Sequence, residues 1–149
     1  MARAVAVTES AFDTAFRGRF TSLLTWNQLD EFWNTLLTGV DDGWYLYAVG
    51  MPPPQAPRPR VDVVKFIDAV DRLLRQEHHE DYCGIVYVDS RERPGFIKIF
   101  DPNHLGVACG SSKHPPLPGW IMSRVPPVPL HDKRPLPVGR QRWWNALWE

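Results

Sequence analysis

The residues best able to do chemistry lie between His104 and His114. Cys109 lies midway between these two histidines, and glycine and serine follow it in the chain. Small residues after a cysteine let backbone amides approach the sulfur, and a nearby cation such as Lys113 favours the thiolate. A nucleophilic thiol also needs a positioned base, which either histidine would supply. The segment is therefore a candidate thiol centre, but it carries no local signature of a thiol hydrolase, and a structural cysteine in a glycine turn is the favoured interpretation.

The same segment offers nitrogen and sulfur ligands of the kind that zinc binds, with Cys83 or the pair His78 and His79 as further ligands. Zinc sites usually place paired ligands about two to four residues apart. No cysteine pair in the chain has that spacing. Adjacent histidines on a helix point in different directions, so the 78–79 pair is typical of a solvated helix end. The sequence predicts neither a metal nor another cofactor.

A second candidate site is the aromatic and basic run that ends the proline-rich stretch 111–149. Proline lacks a backbone donor and fixes φ, so this stretch is predicted to form an extended arm. Tryptophan and arginine dominate protein interfaces, and the run is therefore the predicted partner-binding site. Its members are Arg140, Arg142, Trp143, Trp144, Leu147 and Trp148. Two interpretations remain open: the aromatic and basic run docks on a partner, or it docks on the protein's own body.

Charge is distributed unevenly along a chain of zero net charge. Residues 111–149 carry six Lys/Arg against two Asp/Glu, so the first 110 residues hold the compensating negative charge. A basic arm on an acidic body favours self-docking or attraction to an acidic partner. Only Arg140 and Arg142 flank the tryptophans, so nucleic acid is not the predicted partner. No apolar run is long enough to cross a bilayer, so no membrane association is predicted.

Hydrophobic periodicity predicts the elements that position these candidates. Thr25 and Gln28 form a capping box at the start of a helix that closes at Gly39, and a second helix begins near Asp62. Its predicted buried face is Val63, Phe66, Ile67, Val70, Leu73 and Leu74. The predicted strands are 44–49, 82–88 and 96–100, with a short strand at 105–109 and an edge strand at 120–125.

This order predicts an α/β fold, specifically a two-layer α/β sandwich in which two helices cover a small mixed sheet. The strand after the second helix is expected to run parallel to the first, because a helical crossover returns the chain in that direction. Two units are predicted: a compact α/β body over 1–110 and an extended Pro-rich arm over 111–149 that ends in the aromatic anchor.

The function expected from these features is that of a small accessory or regulatory protein, not an enzyme, which docks on a protein partner or larger complex through its arm. Self-association is a further reading. The alternative is a thiol- or metal-dependent enzyme centred on Cys109 with His104 and His114. Two cysteines form no disulfide framework and the N-terminus lacks an apolar leader, so a cytoplasmic protein is expected.

Overall fold

The computed structural model describes residues 9–105, 116–130 and 135–149. Its elements are α1 (Ala11–Phe16), β1 (Thr21–Ser22), α2 (Trp26–Thr38), β2 (Tyr45–Ala48), α3 (Arg60–Glu77), β3 (Val86–Val88), β4 (Phe96–Ile99), a 3-10 turn (Pro102–His104), β5 (Trp120–Ser123) and α4 (Val138–Leu147). Within the described ranges, no helix has the length and apolar character needed to cross a membrane.

The start of α2 forms as the sequence predicts. The Thr25 hydroxyl accepts a hydrogen bond from the Gln28 amide at 3.0 Å, and the Gln28 side chain accepts one from the Thr25 amide at 3.3 Å. This capping box satisfies amides that have no partner inside the helix. At the other end, Gly39 is the C-cap, and its φ of −110° differs from the left-handed conformation that glycine often adopts at helix ends.

Helix α3 begins at Arg60, two residues before the predicted start, and Pro59 is its N-cap. Proline suits this position because the first amides of a helix have no intrahelical acceptor. The predicted buried face is confirmed, since its members are all buried: Val63, Phe66, Ile67, Val70, Leu73 and Leu74. This face directs α3 onto the sheet.

The sheet has five strands in the order β1-β3-β4-β5-β2, and every neighbouring pair is antiparallel. The predicted mixed sheet is therefore wrong. β2 and β3 flank α3 in sequence, but β4 and β5 lie between them in the sheet. The crossover through α3 thus joins strands that are not neighbours, so the rule for adjacent parallel strands does not apply.

β5 lies inside the sheet, so the prediction of an edge strand at 120–125 is wrong. It pairs with β4 on one side and with β2 on the other. Trp120, Ile121 and Met122 are completely buried. An edge strand was predicted because proline follows directly, yet the prolines lie outside the paired residues 120–123 and remove no ladder hydrogen bond.

The two faces of the sheet are covered differently. Alternate strand residues face opposite sides, and those facing α2, α3 and α4 form the larger cluster, which includes Leu46, Ile97, Ile99 and Trp120. The smaller cluster comprises Phe12, Tyr47, Val49, Phe96 and Ile121. Residues of α1 and of the proline-rich stretch pack against it, and they include Phe16, Leu117, Val125, Val128 and Leu130.

Described parts of the stretch 111–149 thus contact the body at several points. Leu136 is buried in the larger cluster, and a Cβ on Gly50 would lie 2.9 Å from the Leu136 nitrogen. Gly50 has a φ of 101°, a conformation that glycine adopts without strain. The predicted boundary between residues 110 and 111 and most of the predicted strand 105–109 lie outside the described residues.

Candidate functional site

Arg140 joins α4 to the body through two carboxylates. Its Nε and Nη2 atoms donate to Oδ2 and Oδ1 of Asp101 at 2.7 and 2.9 Å. Nη1 and Nη2 donate to Oε2 and Oε1 of Glu77 at 3.0 and 2.8 Å. The Arg140 side chain is only 11% exposed. Four of the five N–H groups of the guanidinium are therefore engaged within the chain.

Electrostatics hold all three groups of this network in their charged forms. Hydrogen bonds to Asp101 and Glu77 raise the pKa of Arg140 above its ordinary value. The bond from Arg140 lowers the pKa of Glu77. Burial raises the pKa of Asp101, but hydrogen bonds from Arg140 and the Asn103 amide outweigh burial and leave that pKa below its usual value. We call this network the ion cluster. Its three groups stay charged at neutral pH, so it can hold α4 against the body but is not suited to proton transfer.

The aromatic residues of the predicted anchor lie against the protein's own core. Trp144 is buried, and its ring centroid is 5.9 Å from that of Phe66 on α3. The ring centroid of Trp143 lies 5.2 Å from that of the buried Trp120, with the two rings tilted at 56°. Leu147 and Trp148 are partly buried against the same cluster.

Arg142 is exposed, unlike its neighbour Arg140. The guanidinium carbon of Arg58 lies 3.9 Å from the Trp148 ring centroid, a distance typical of a cation–π contact. The anchor residues therefore form one surface of α4 that the body covers, with Arg142 outside it.

His104 lies in the wall of a cavity of about 670 Å³ at one end of the sheet. Its Nδ1 is 3.4 Å from Oδ2 of Asp101. The cavity is bounded by the ends of β2 and β4, the start of β5 and the residues before α4. Of the predicted thiol or metal candidates, His104 is thus placed in a concave site, whereas Cys109 and His114 lie outside the described residues.

The other metal candidates are engaged elsewhere. Cys83 is buried, and burial raises the pKa of its thiol. His78 is also buried, with Nε2 2.9 Å from the carbonyl oxygen of Cys83, and His79 is hydrogen-bonded to the carbonyl of Gln76. In the part of the chain that the structure describes, no group of three or more His, Cys, Asp or Glu side chains is arranged to hold a metal ion.

An exposed apolar surface lies where α2 begins and α3 ends. We call Leu24, Trp26 and Tyr82 the aromatic patch. Leu24 is 58% exposed and Tyr82 56%, and the Leu24 carbonyl accepts a hydrogen bond from the Cys83 amide at 2.9 Å. The His78 ring makes edge contacts with both Trp26 and Tyr82, at 6.0 Å between centroids. Trp26 and Tyr82 therefore both contact the His78 ring, and the backbone hydrogen bond of Leu24 brings its segment beside Tyr82.

Two acidic side chains lie in the turn beside the aromatic patch. Glu80 and Asp81 are exposed, and neither forms an ion pair with another described residue. The Trp26 indole donates to the Glu80 carbonyl at 3.2 Å, which holds the ring beside this acidic turn. Arg75 lies 5.0 Å from the Trp26 ring but is already paired with Asp30 and Asp71. Glu80 and Asp81 thus give the patch an acidic rim on the side of this turn.

Sequence reasoning did not identify the ion cluster or the aromatic patch. Glu77 is the last residue of α3 and Asp101 follows β4, and no sequence signal links either residue to Arg140. Leu24 directly precedes the cap of α2, where an apolar residue usually packs on the helix, so its exposure has no signal in the sequence.

A scan against protein-family models, a search of curated proteins and a search of solved structures each found no match to this chain.

Proposed function

We propose that the chain is an accessory protein that binds a protein partner through the aromatic patch. The partner surface is apolar at its centre and carries lysine or arginine around it. The observation that supports this proposal is the adjacency of Leu24, Trp26 and Tyr82 beside an acidic rim. Exposed apolar residues that cluster within a polar rim are typical of protein interfaces, whereas isolated ones are not.

The composition of the patch suits this role. Tryptophan and tyrosine supply large contact areas for little loss of side-chain freedom, and they are enriched among residues that dominate binding energy. Trp26 is held by its indole hydrogen bond to Glu80 and by the His78 ring, so little order has to be gained on binding. The patch is therefore pre-organised for association.

The patch is a better docking surface than the aromatic residues of α4. Trp144 is only 7% exposed, and its neighbours pack on the same core, so using them would require α4 to leave the body. Release would also break the four hydrogen bonds from Arg140 to Asp101 and Glu77. An extended arm that docks through its tip remains a prediction from the sequence.

The acidic rim also selects between a different protein and a second copy of this chain. Two copies meeting patch to patch would bring Glu80 and Asp81 towards the same residues of the partner copy. Like charges at an interface oppose association, and unlike charges steer it. The occupant is therefore a partner with a basic rim.

A photo-crosslinking amino acid at position 82, tested in the native host, examines this proposal directly. We expect one partner to be captured, with the crosslink in an apolar segment flanked by Lys or Arg. The purified partner should then bind the wild-type chain at least about tenfold more tightly than the double variant L24E/Y82E. Added salt should slow association, because the steering is electrostatic.

The matched control carries the same crosslinker at Val138, which is 63% exposed but lies on α4. Equal capture from positions 82 and 138 would contradict the proposal, and so would a crosslink to a second copy of the chain. Capture from α4 positions alone, with loss of binding in W144A, would instead support docking through the C-terminal helix.

One observation favours a second candidate function, thiol-dependent chemistry centred on Cys109. His104 faces the Asp101 carboxylate at the wall of the cavity, and a carboxylate can orient an imidazole as a base. Iodoacetamide labelling of Cys109 across a pH series tests it. Faster labelling at neutral pH in the wild type than in H104A would support this candidate, and labelling at ordinary thiol rates in both would remove it.

A further inference from the structure

The cavity at the end of the sheet has the size of a ligand site. Its volume is about 670 Å³, within the range of roughly 300 to 1,000 Å³ that is usual for pockets holding small molecules. It lies away from the aromatic patch, since none of the patch residues lines it. It is therefore a site distinct from the proposed docking surface.

The wall of the cavity is mostly apolar and stiff. Val49, Leu105, Leu117 and Leu136 contribute aliphatic side chains, and five prolines complete the apolar lining. Proline fixes φ, so backbone segments rich in it lose little freedom when a ligand binds. The hydrophobic contacts available to an apolar ligand are thus offered by a largely preformed surface.

Charge restricts the ligand further. Asp101 is the one charged carboxylate among the described lining residues, and these include no lysine or arginine. Arg140, which lies outside the lining, is shared between Asp101 and Glu77, so these three described side chains together carry one net negative charge. In a low-dielectric cavity such a charge repels an anionic ligand and favours a cation or a hydrogen-bond donor.

His104 supplies a hydrogen-bond acceptor in the same wall. Its Nδ1 faces Asp101 Oδ2 at 3.4 Å. A carboxylate accepts hydrogen bonds but does not donate them, so in a neutral imidazole this contact favours the tautomer with the proton on Nδ1. Nε2, on the other side of the ring, is then an acceptor for a ligand. The negative charge of the wall and an acceptor at Nε2 of His104 therefore both favour a ligand that is a cation or a hydrogen-bond donor.

We propose that this cavity binds a small, mainly apolar molecule that carries an amine, with the ammonium group directed to His104 and Asp101 and the hydrocarbon part against the prolines and leucines. An alcohol of the same length can donate a hydrogen bond to His104, but it binds more weakly because it carries no positive charge to interact with Asp101. A carboxylate of the same length is rejected.

Calorimetric titration with hexylamine, hexanol and hexanoate tests the proposal on the full chain. These probes share one apolar body and differ in the polar group. We expect hexylamine to bind most tightly and hexanoate at least about tenfold more weakly than hexylamine. H104A should weaken hexylamine and hexanol, and L105W should weaken every probe that binds, because Leu105 lines the cavity and is 42% exposed.

The control variant is V61W, which adds the same side chain at a 69% exposed position outside both the cavity and the aromatic patch. It should leave binding of all three probes unchanged. Because no patch residue lines the cavity, probe binding and partner docking are measured independently, and the failure of one is separable from the failure of the other. Absence of hexylamine binding, hexanoate binding as tightly as hexylamine, or equal effects of L105W and V61W would each overturn the proposal. Unfolding midpoints of the variants verify that each remains folded.

Discussion

Arg140 and Lys98 are both cations that are withdrawn from water, and they lie against opposite faces of the same sheet. Arg140 packs above the buried Trp120 and donates to two carboxylates. Lys98 lies on the other face, where its Nζ is 4.0 Å from the ring centroids of both Phe16 and Phe20 and donates to the Phe16 carbonyl at 2.7 Å. No carboxylate pairs with it among the described residues.

The two pKa values respond in opposite directions. Paired carboxylates raise the pKa of Arg140, whereas burial lowers the pKa of Lys98 to about 8. Burial disfavours a charge, and a partner of opposite charge offsets more of that cost than a neutral carbonyl or an aromatic ring does. The comparison indicates that Arg140 stabilises the packing of α4 on one face of the sheet, whereas Lys98 on the other face adds little to the free energy of unfolding.

Deleting residues 140–149 is the strongest test of this difference. The truncation removes Arg140 together with the aromatic cover over Phe66 and Trp120. We expect it to lower the free energy of unfolding of the isolated chain by more than about 5 kcal/mol, which corresponds to a fall in Tm of roughly 10 to 20 °C. Thermal unfolding by circular dichroism checks this. An unchanged Tm would mean that α4 is not fastened and would favour its docking on a partner.

Replacing Arg140 by alanine isolates the ion cluster. Asp101, whose side chain is only 5% exposed, would then remain buried without its cation. Breaking a buried pair in this way costs about 3 to 5 kcal/mol. Urea denaturation of R140A should show this loss, whereas R142A, two residues along the same helix and exposed, should stay within about 0.5 kcal/mol of wild type. Equal effects of the two variants would contradict the role given to Arg140.

Acid should weaken the same cluster. The pKa values of Asp101 and Glu77 are lowered in the folded chain from ordinary values of 3.8 and 4.5. The folded state therefore binds fewer protons than the unfolded state in acid, so this stability is present above the unfolded values and is lost as the pH falls through the folded ones. Urea midpoints measured from pH 6 to pH 3 should fall more steeply for wild type than for R140A. Parallel profiles would argue against the network.

Replacing Lys98 by methionine should have the smallest effect. At pH 7 we expect a change below about 1 kcal/mol, because the substitution keeps the packing and removes an unpaired charge. The folded pKa of about 8 lies below the unfolded value of 10.5, so between these values the unfolded chain retains a proton that the folded chain has lost. Wild-type stability attributable to Lys98 should therefore rise with pH in that window.

The rise of stability with pH should be absent in K98M and present in K65M. Lys65 is the matched control, because it is an exposed lysine that also donates to a backbone carbonyl. Denaturation midpoints at pH 7.5 and pH 10 measure the difference. A large loss of stability in K98M would show that the aromatic rings stabilise the charged amine and would remove the contrast with Arg140.

The sequence predicted those elements whose patterns are local. The capping box of α2 and the buried face of α3 depend on residues within a few positions of each other, and both are confirmed. Strand order depends on pairing between distant segments. Nothing near Trp120 indicates that it pairs with Ala48 and Ile99 at once, so β5 was predicted at an edge and the sheet as mixed.

The candidate sites show the same contrast between local sequence patterns and contacts between distant segments. His104 was singled out by its residue type and its neighbours, and it lies in the wall of a cavity, whereas its role beside Cys109 stays a prediction. Glu77 and Asp101 are 63 and 39 positions from Arg140, and their pairing arises only when α3, β4 and α4 are packed. Exposure of Leu24 and Tyr82 likewise depends on which surfaces the fold leaves uncovered.

The position of β5 has a consequence for synthesis. β2 and β4 acquire their common neighbour only when residues 120–123 have emerged from the ribosome. Until then the nascent chain holds two strand edges whose amides and carbonyls lack their native partners, and such edges invite pairing with other chains. We therefore expect stalled products that end before Trp120 to aggregate or to occupy chaperones, and those that extend past Ser123 to do so far less.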